Sequence, residues 1–299
     1  MDYVITYVNS SDPAWQATYK AFQKQTPTKL GTEKERFRDQ GFLKYHFRAL
    51  EKNLPFINNV YLVVSQESQV PEWLNRDTVH VVTHKEIMPP ECLPTFNSTA
   101  IEMFLHNIPG LSEEFIYAND DVFPVHAATK QSFIIDGKPC VHLLQKKIIN
   151  ATTQFRKVII NSQDLVLPDY PNYPLPDIGK YYRTEHFSLC HLKSVHEEVW
   201  QNHKDEILKS ISPFREVKNY NQYIFLFASV FANKAVDVSM NGAYYEILDK
   251  NLKSIINNIT SGNKTFLCLN DCKLSSELDR VKITQTFDSV FPIKSRFET

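Results

Sequence analysis

The sequence predicts an α/β fold: a mostly parallel sheet flanked by helices, with insertions. Three observations carry this expectation. Runs such as DYVITYVN (2–9), NVYLVVS (59–65), VHVVT (79–83) and FIY (115–117) are short and rich in β-branched or aromatic residues, as strands are. Between them, Leu43, Phe47, Leu50 and Leu54 recur at helical spacing until Pro55 ends the segment. Strands alternating with helices are the pattern of a parallel sheet joined by crossover helices. With 299 residues, 42% of them hydrophobic, the chain is long enough for one large domain spanning 1–299.

Composition narrows the chemistry. Lys+Arg 33 against Asp+Glu 34 gives a net charge of -1, so no global basic bias points to nucleic acid and no charge run forms a tail. No apolar run is long enough for a bilayer span. The opening MDYVITYV lacks a basic flank and a small-residue cleavage site, so no signal peptide is expected. Cys92, Cys140, Cys190, Cys268 and Cys272 are scattered and show no CxxC pairing; reduced, packed thiols in a cytoplasmic enzyme are expected. There are only 7 glycines, with no GxGxxG and no GxxxxGK. If the protein handles phosphates, side-chain cations or a metal must hold them.

In chain order, the first strand runs into Asn9 and then Ser10-Ser11-Asp12-Pro13, with Asp12 as N-cap and Pro13 at the first helical position. A strand, a polar turn and a helix open a nucleotide-binding α/β unit. Residues 26–35 are polar and read as a mobile loop. Arg36, Lys44 and Arg48 flank the next helix. Lys44 reads as part of a solvated face, whereas Arg36 and Arg48 are candidate phosphate clamps, since guanidinium is planar and stays charged. Asn97 or Ser98 caps a helix with Ile101, Phe104, Leu105 and Ile108 toward the core, ending at Gly110. Glu102 lies at the core edge of that helix.

The stretch EEFIYANDDVF (113–123) is the centre of the reading: a short buried strand ending in Asn119, Asp120 and Asp121. Bunched carboxylates repel one another, and at the carboxyl end of a strand in an open α/β sheet they line the ligand crevice. A divalent cation bridging them to a diphosphate would offset the repulsion. A simple Asx-rich turn is the plainer alternative. After Val122, FIIDGKPCVHLL reads as a hairpin turning at Asp136-Gly137. Residues 150–183 are Tyr- and Pro-rich and read as extended. The whole 124–183 stretch is thus a hairpin followed by a mobile acceptor or lid insertion. His186, His191 and His196 follow, one of them a candidate general base. A helix spans about 194–210, another is apolar along Tyr223–Phe231, and KAVDVSM (234–240) reads as a strand. TFLCLNDC repeats the motif of a short strand ending in Asn270-Asp271, and residues 275–290 form the last helix.

Read together, these segments resemble the Stealth family of hexose-1-phosphate transferases, which includes the α/β precursor of the lysosomal-enzyme GlcNAc-1-phosphotransferase. Its four conserved regions resemble, in turn, DYVITYVNSSDPAW; RFRDQGFLKYHFRALEKNLPFI through LPTFNSTAIE and FIYANDD; RTEHFSLCHLKSVHEEVW through FRE; and FLCLND with FPIKSRFE. The match covers about two-thirds of the chain. This chain has His186-Phe187-Ser188 where the family commonly has His-x-Pro, so His186 and His191 both stay open as the base. It has Phe42-Leu43-Lys44 for Glu-Leu-Arg and Tyr7-Val8 for Trp-Val.

The resemblance implies a catalytic domain with a glycosyltransferase-A-like or Rossmann-like core. It implies His186, Asp121, Glu102 and Arg215 as catalytic residues. Asn9, Asp12, Arg36, Arg48, Asn119 and Asn270 are the candidates for nucleotide-sugar or phosphate binding, and Asp121 with Asp271 for Mg²⁺ or Mn²⁺. The implied donor is a UDP-hexosamine and the acceptor a glycan or lipid-linked oligosaccharide. The acceptor attacks phosphorus, a phosphodiester forms in a capsular or cell-surface polysaccharide, and UMP leaves. The implied setting is cytoplasmic, compatible with the inner face of the membrane beside polysaccharide-assembly enzymes. Two rival readings are a glycosyltransferase releasing UDP and an inactive polysaccharide-binding relative.

Overall fold

The computed structural model describes residues 1–25, 31–151 and 153–299. Residues 26–30 of the loop expected at 26–35 lie outside the described residues. The strands are β1 (Asp2–Thr6), β2 (Val60–Val64), β3 (His80–Thr83), β4 (Glu114–Asn119), β5 (Val122–Pro124), β6 (Ile134–Ile135), β7 (Lys138–Pro139), β8 (Leu144–Lys147), β9 (Lys180–Arg183), β10 (Leu189–Leu192), β11 (Gly242–Glu246) and β12 (Phe266–Asn270). The helices are α1 (Pro13–Gln25), α2 (Leu43–Asn53), α3 (His84–Ile87), α4 (Ser98–Glu102), α5 (Gln154–Val166), α6 (Lys193–Ser210, kinked at His203), α7 (Tyr223–Phe231), α8 (Asp249–Ser261) and α9 (Glu277–Val290).

The expected parallel sheet is present. Its order is β10-β4-β1-β2-β3, with β4, β1, β2 and β3 all parallel and β10 added antiparallel on the β4 edge. Buried on both faces, β1 and β2 are continuous apolar runs apart from Asp2 and Thr6. Asp2 is fully buried and accepts from Ser112 N (2.8 Å) and Asn59 Nδ2 (3.1 Å), tying the start of β1 to the loops before β2 and β4.

A second sheet, β11-β12-β5, grows out of the end of β4: the chain turns at Asp120-Asp121 into β5, which pairs antiparallel with β12. The two Asn-Asp strand ends therefore meet, with Leu269 N donating to Asp121 O at 2.8 Å. α2, α8 and α9 close this sheet over a second core containing Phe42, Phe123, Ile255, Leu267 and Phe287. A third, aromatic cluster of Trp15, Phe37, Phe96 and Phe214 packs beneath α1.

Several segments differ from the sequence reading. The helix expected from 97 to 110 is a single turn, α4, followed by a 3-10 turn at Leu105–Asn107. Residues 234–240 form no strand; Val236 makes one isolated bridge to Cys140. The hairpin at Asp136-Gly137 forms as expected, with both residues at positive φ. The segment after it is not uniformly extended: Thr153 caps α5, whose Val158, Ile159 and Val166 are buried. Among the described residues no helix is long and apolar enough to cross a membrane.

Candidate active site

The carboxyl ends of β1, β4 and β12 open onto a cleft of about 690 Å³. It is lined by Asn119, Asp120 and Asp121 and by Arg36, His186 and Arg215; Glu102, Asn270 and Asp271 also line it. Residues as far apart in the chain as Arg36 and Asp271 converge here because the second sheet folds back against the end of the first.

Glu102 is 4% exposed at the end of α4. Its Oε2 accepts from Gln222 N at 2.8 Å. Burial raises its carboxyl to about 7, against the lowering effects of the Gln222 hydrogen bond, Arg215 and Tyr117. Tyr117, on β4 below, is fully buried and bonds Thr6 Oγ1 (3.0 Å) and Asn119 Nδ2 (3.3 Å). It is the post that links Glu102 to the NDD turn.

His186 offers Nδ1 to the Tyr223 hydroxyl at 3.2 Å. Burial lowers its pKa, Asp121 raises it, and Arg183 and Arg215 lower it further, so the imidazole is neutral near pH 7. His191 is not in the cleft. It is buried, with Nδ1 on His196 (3.1 Å) and Nε2 on Gln222 (3.2 Å), and burial drops its pKa to about 4. Both ring nitrogens of His191 are used inside the fold, whereas His186 lines the cleft.

Arg215 donates to Ser98 Oγ at 2.5 Å, and burial followed by repulsion from Arg36 lowers its pKa to about 10. Gly31 (φ +71) supports it: a Cβ there would lie 2.8 Å from Arg215 Cβ. Arg36 is ion-paired to Glu33 (2.5 Å), and Arg38, also lining the cleft, to Asp271 (3.1 Å).

Three expected binding residues lie elsewhere. Asn9 Oδ1 accepts from Ser11 N within its own turn (2.8 Å). Asp12 caps α1 through Ala14 N (3.0 Å) and accepts from Ser68 (2.6 Å) and Gln69 (2.7 Å), which, with Gln66, hold its carboxyl below the usual range against the effect of burial. Arg48 faces the C-terminal segment: it is bidentate to Glu298 (2.8 and 2.7 Å) and donates to Phe291 O. None of the three lines the cleft. Residues that the sequence reading did not single out do line it, or touch those that do: Arg183, Arg38, Tyr223, Tyr117 and Gly31.

The acidic turn carries an unpartnered carboxylate oxygen. Asp121 Oδ1 is buried without a hydrogen-bond partner among the described residues. Asp120 is raised to about 8 by burial and then by the like charges of Asp121 and Asp39. An orphaned carboxylate oxygen beside a repelled carboxyl fits a divalent ion, which Asp121 would hold and whose charge would offset the repulsion. Asp271 lines the same cleft, but its carboxylate is already engaged by Arg38, Gln40 (2.5 Å) and Cys272 N (2.9 Å). The atoms that do cluster with Asp121, all within 4.8 Å of one another, belong to His186 and Cys268, whose thiol points at Asp121 Oδ2 (3.7 Å).

Comparison with known proteins bears on this site. Residues 36–141 match the model for conserved region 2 of Stealth proteins. Over its full length the chain is 32% identical to an exopolysaccharide phosphotransferase, cps2G, of Lactiplantibacillus plantarum, of which it covers 96%. It is 28% identical, again over its full length, to the capsular polysaccharide phosphotransferase WcwK of Streptococcus pneumoniae, covering 98% of that protein. It is 32% identical over 76% of its length to the capsular polysaccharide phosphotransferase cps1A of Actinobacillus pleuropneumoniae, covering 64% of it.

Proposed function

The chain belongs to the Stealth family of capsular and exopolysaccharide phosphotransferases, and from that premise we propose that it transfers a hexose-1-phosphate from a nucleotide-diphospho-sugar to a glycan hydroxyl, releasing a nucleoside monophosphate. The donor we propose is a UDP-HexNAc such as UDP-GlcNAc, and the product a phosphodiester in a surface polysaccharide. The observation that carries this reading is the meeting, in one cleft, of a neutral imidazole, an orphaned carboxylate and a part-buried guanidinium.

His186 Nε2 takes the acceptor hydroxyl's proton as the oxygen attacks phosphorus. Nδ1–H donates to the Tyr223 oxygen, leaving the lone pair on Nε2. Arg215 and Arg36 stabilise charge on the phosphoryl oxygens and on the departing phosphate. Ser98 fixes the Arg215 guanidinium and Gly31 packs against the base of the same side chain, so little reorganisation is needed as charge develops. Glu102 stays buried and ties Gln222 at the start of α7 to β4, one helical step from the Tyr223 that orients the base. Mg²⁺ or Mn²⁺ held by Asp121 would neutralise the diphosphate and polarise the scissile bond.

The test is to incubate the protein with UDP-GlcNAc, Mg²⁺ and short acceptor glycans and to identify the nucleotide released. UMP is expected. UDP would mean attack at the anomeric carbon and would overturn this reading of the chemistry.

A further inference from the structure

Two segments that the mechanism does not use form an exposed lip beside the cleft. β8 and β9 pair antiparallel, and Ile148 N donates to Gly179 O at 2.8 Å, so the tip at 148–150 lies against residues 175–180. Gln145 Oε1 accepts from Asp177 N at 2.9 Å and fastens the two strips again. At this lip Ile149 is 82% exposed, Leu175 75% and Ile178 fully, with Ile148 half out. Single exposed apolar residues are ordinary, but four on one hydrogen-bonded tip are a patch.

Charge surrounds the patch with one sign. Residues 144–150 contain Lys146 and Lys147 and no acid, and residues 175–180 contain Lys180 and one acid, Asp177, so the lip carries three basic residues against one acidic; Arg156 and Lys157 follow it in the chain. Asp177 is spent on Lys180 (2.6 Å), whereas Lys146 and Lys147 are exposed and have no acidic partner among the described residues. Lys147 stands directly opposite Lys180 across the ladder; Asp177 answers the charge of Lys180, and that of Lys147 is left without an acidic partner among the described residues.

Protruding aliphatic tips set among unpaired lysines match the boundary of an anionic bilayer: headgroups meet the ammonium groups while the tips enter the acyl region. We infer that the lip formed by residues 144–150 and 175–180 is a docking surface for anionic phospholipid membranes. The lip is continuous with the cleft. β9 runs from Lys180 at the lip to Arg183 in the cleft lining, about 10 Å of strand. Thr153 and Phe155, just beyond the other half of the lip, line the cleft as well. Docking therefore lays the cleft mouth against the bilayer, where a lipid-linked acceptor would present its glycan. That last step rests on the proposed function; the binding itself does not.

The test uses the full chain and sedimentation with two kinds of vesicle, phosphatidylcholine alone and phosphatidylcholine with phosphatidylglycerol. Binding to the phosphatidylglycerol vesicles is expected, weakening as salt is raised. Lys146→Glu with Lys147→Glu should reduce partition about fivefold or more per lysine, and Ile149→Asp with Ile178→Asp at least tenfold. Ile293→Asp and Leu278→Asp, also exposed (80% and 62%) but far from the lip in sequence, should leave partition unchanged. Urea midpoints check that every variant is folded. No binding by the wild type overturns the inference; so does a loss of binding shared by the two control substitutions, or self-association through the lip without lipid. Because no turnover is read, a failed phosphotransferase assay would leave this result standing.

Discussion

Glu102→Gln tests the electrostatics of the cleft most directly. Glu102 is 4% exposed, and burial raises its carboxyl from 4.5 to about 7. A carboxyl whose folded pKa lies above its unfolded value removes stability as pH rises. Below the unfolded value both states are protonated and nothing is lost; above about 7 both are ionised and the whole penalty is present. At about 1.36 kcal/mol per unit the full window is worth ~3 kcal/mol, and the part between about pH 5.5 and about pH 8 is ~2 kcal/mol. Glutamine keeps an acceptor for Gln222 N but has no titrating proton. The stability of the variant relative to the wild type should therefore move in the variant's favour by ~2 kcal/mol across that interval, whatever its offset at either end. Urea unfolding of both proteins at the two pH values measures it. A difference that does not change with pH would refute the reasoning, because it would mean that Glu102 is ionised at the same pH in folded and unfolded chains. Turnover should fall in the same variant, since the charge facing Arg215 is gone.

His186→Ala should lower turnover by ~10²–10⁴-fold with donor affinity nearly intact, and retention of turnover in steady-state assays would remove His186 from the base role. Tyr223→Phe removes the partner of Nδ1 while keeping the ring, so kcat should fall and the acidic limb of its pH profile, set by deprotonation of His186, should shift, with the urea midpoint little changed. Glu298→Ala breaks a buried, bidentate pair with Arg48 and should destabilise the fold by ~3 kcal/mol while leaving donor KM unaltered; a donor KM effect in the folded enzyme would return Arg48 to the binding site. Gly31→Ala forces a Cβ to within 2.8 Å of Arg215 Cβ at a positive φ, and should lower kcat more than it lowers the thermal midpoint.

What the sequence made legible was local. β1, β2 and the NDD strand could be read because their apolar residues are contiguous and their ends are marked by residues that favour turns. α2 could be read because Leu43, Phe47 and Leu50 repeat on one face. α5 has the same kind of repeat in Val158, Ile159 and Val166, but Ser162 and Gln163 interrupt it. Both are buried because partners far away in the chain satisfy them, Asn221 for one and Tyr182 N for the other. β10 joins the main sheet only as an antiparallel edge against β4, a pairing that no periodicity in its four residues announces.

The same divide runs through the site. Arg36 and Arg48 are the same residue type, twelve positions apart and equally plausible as clamps. Arg36 faces the cleft and Arg48 does not, because Glu298, 250 residues further on, takes Arg48. His186 and His191 are separated only by where α7 packs: Tyr223 at its first turn meets one ring, while Gln222, the residue before, meets the other. Chemistry-bearing residue types were thus readable as a set, and their assignment to cleft or core was decided by long-range partners. The same logic explains why Glu102 is informative. Its carboxylate is held in the core by Gln222 N, the neighbour of the Tyr223 that orients His186, so a change in its charge bears on the fold and on the base through one peptide unit. A loss of turnover in Glu102→Gln that is accompanied by a shifted pH profile, and not only by weaker donor binding, would show that this link is used.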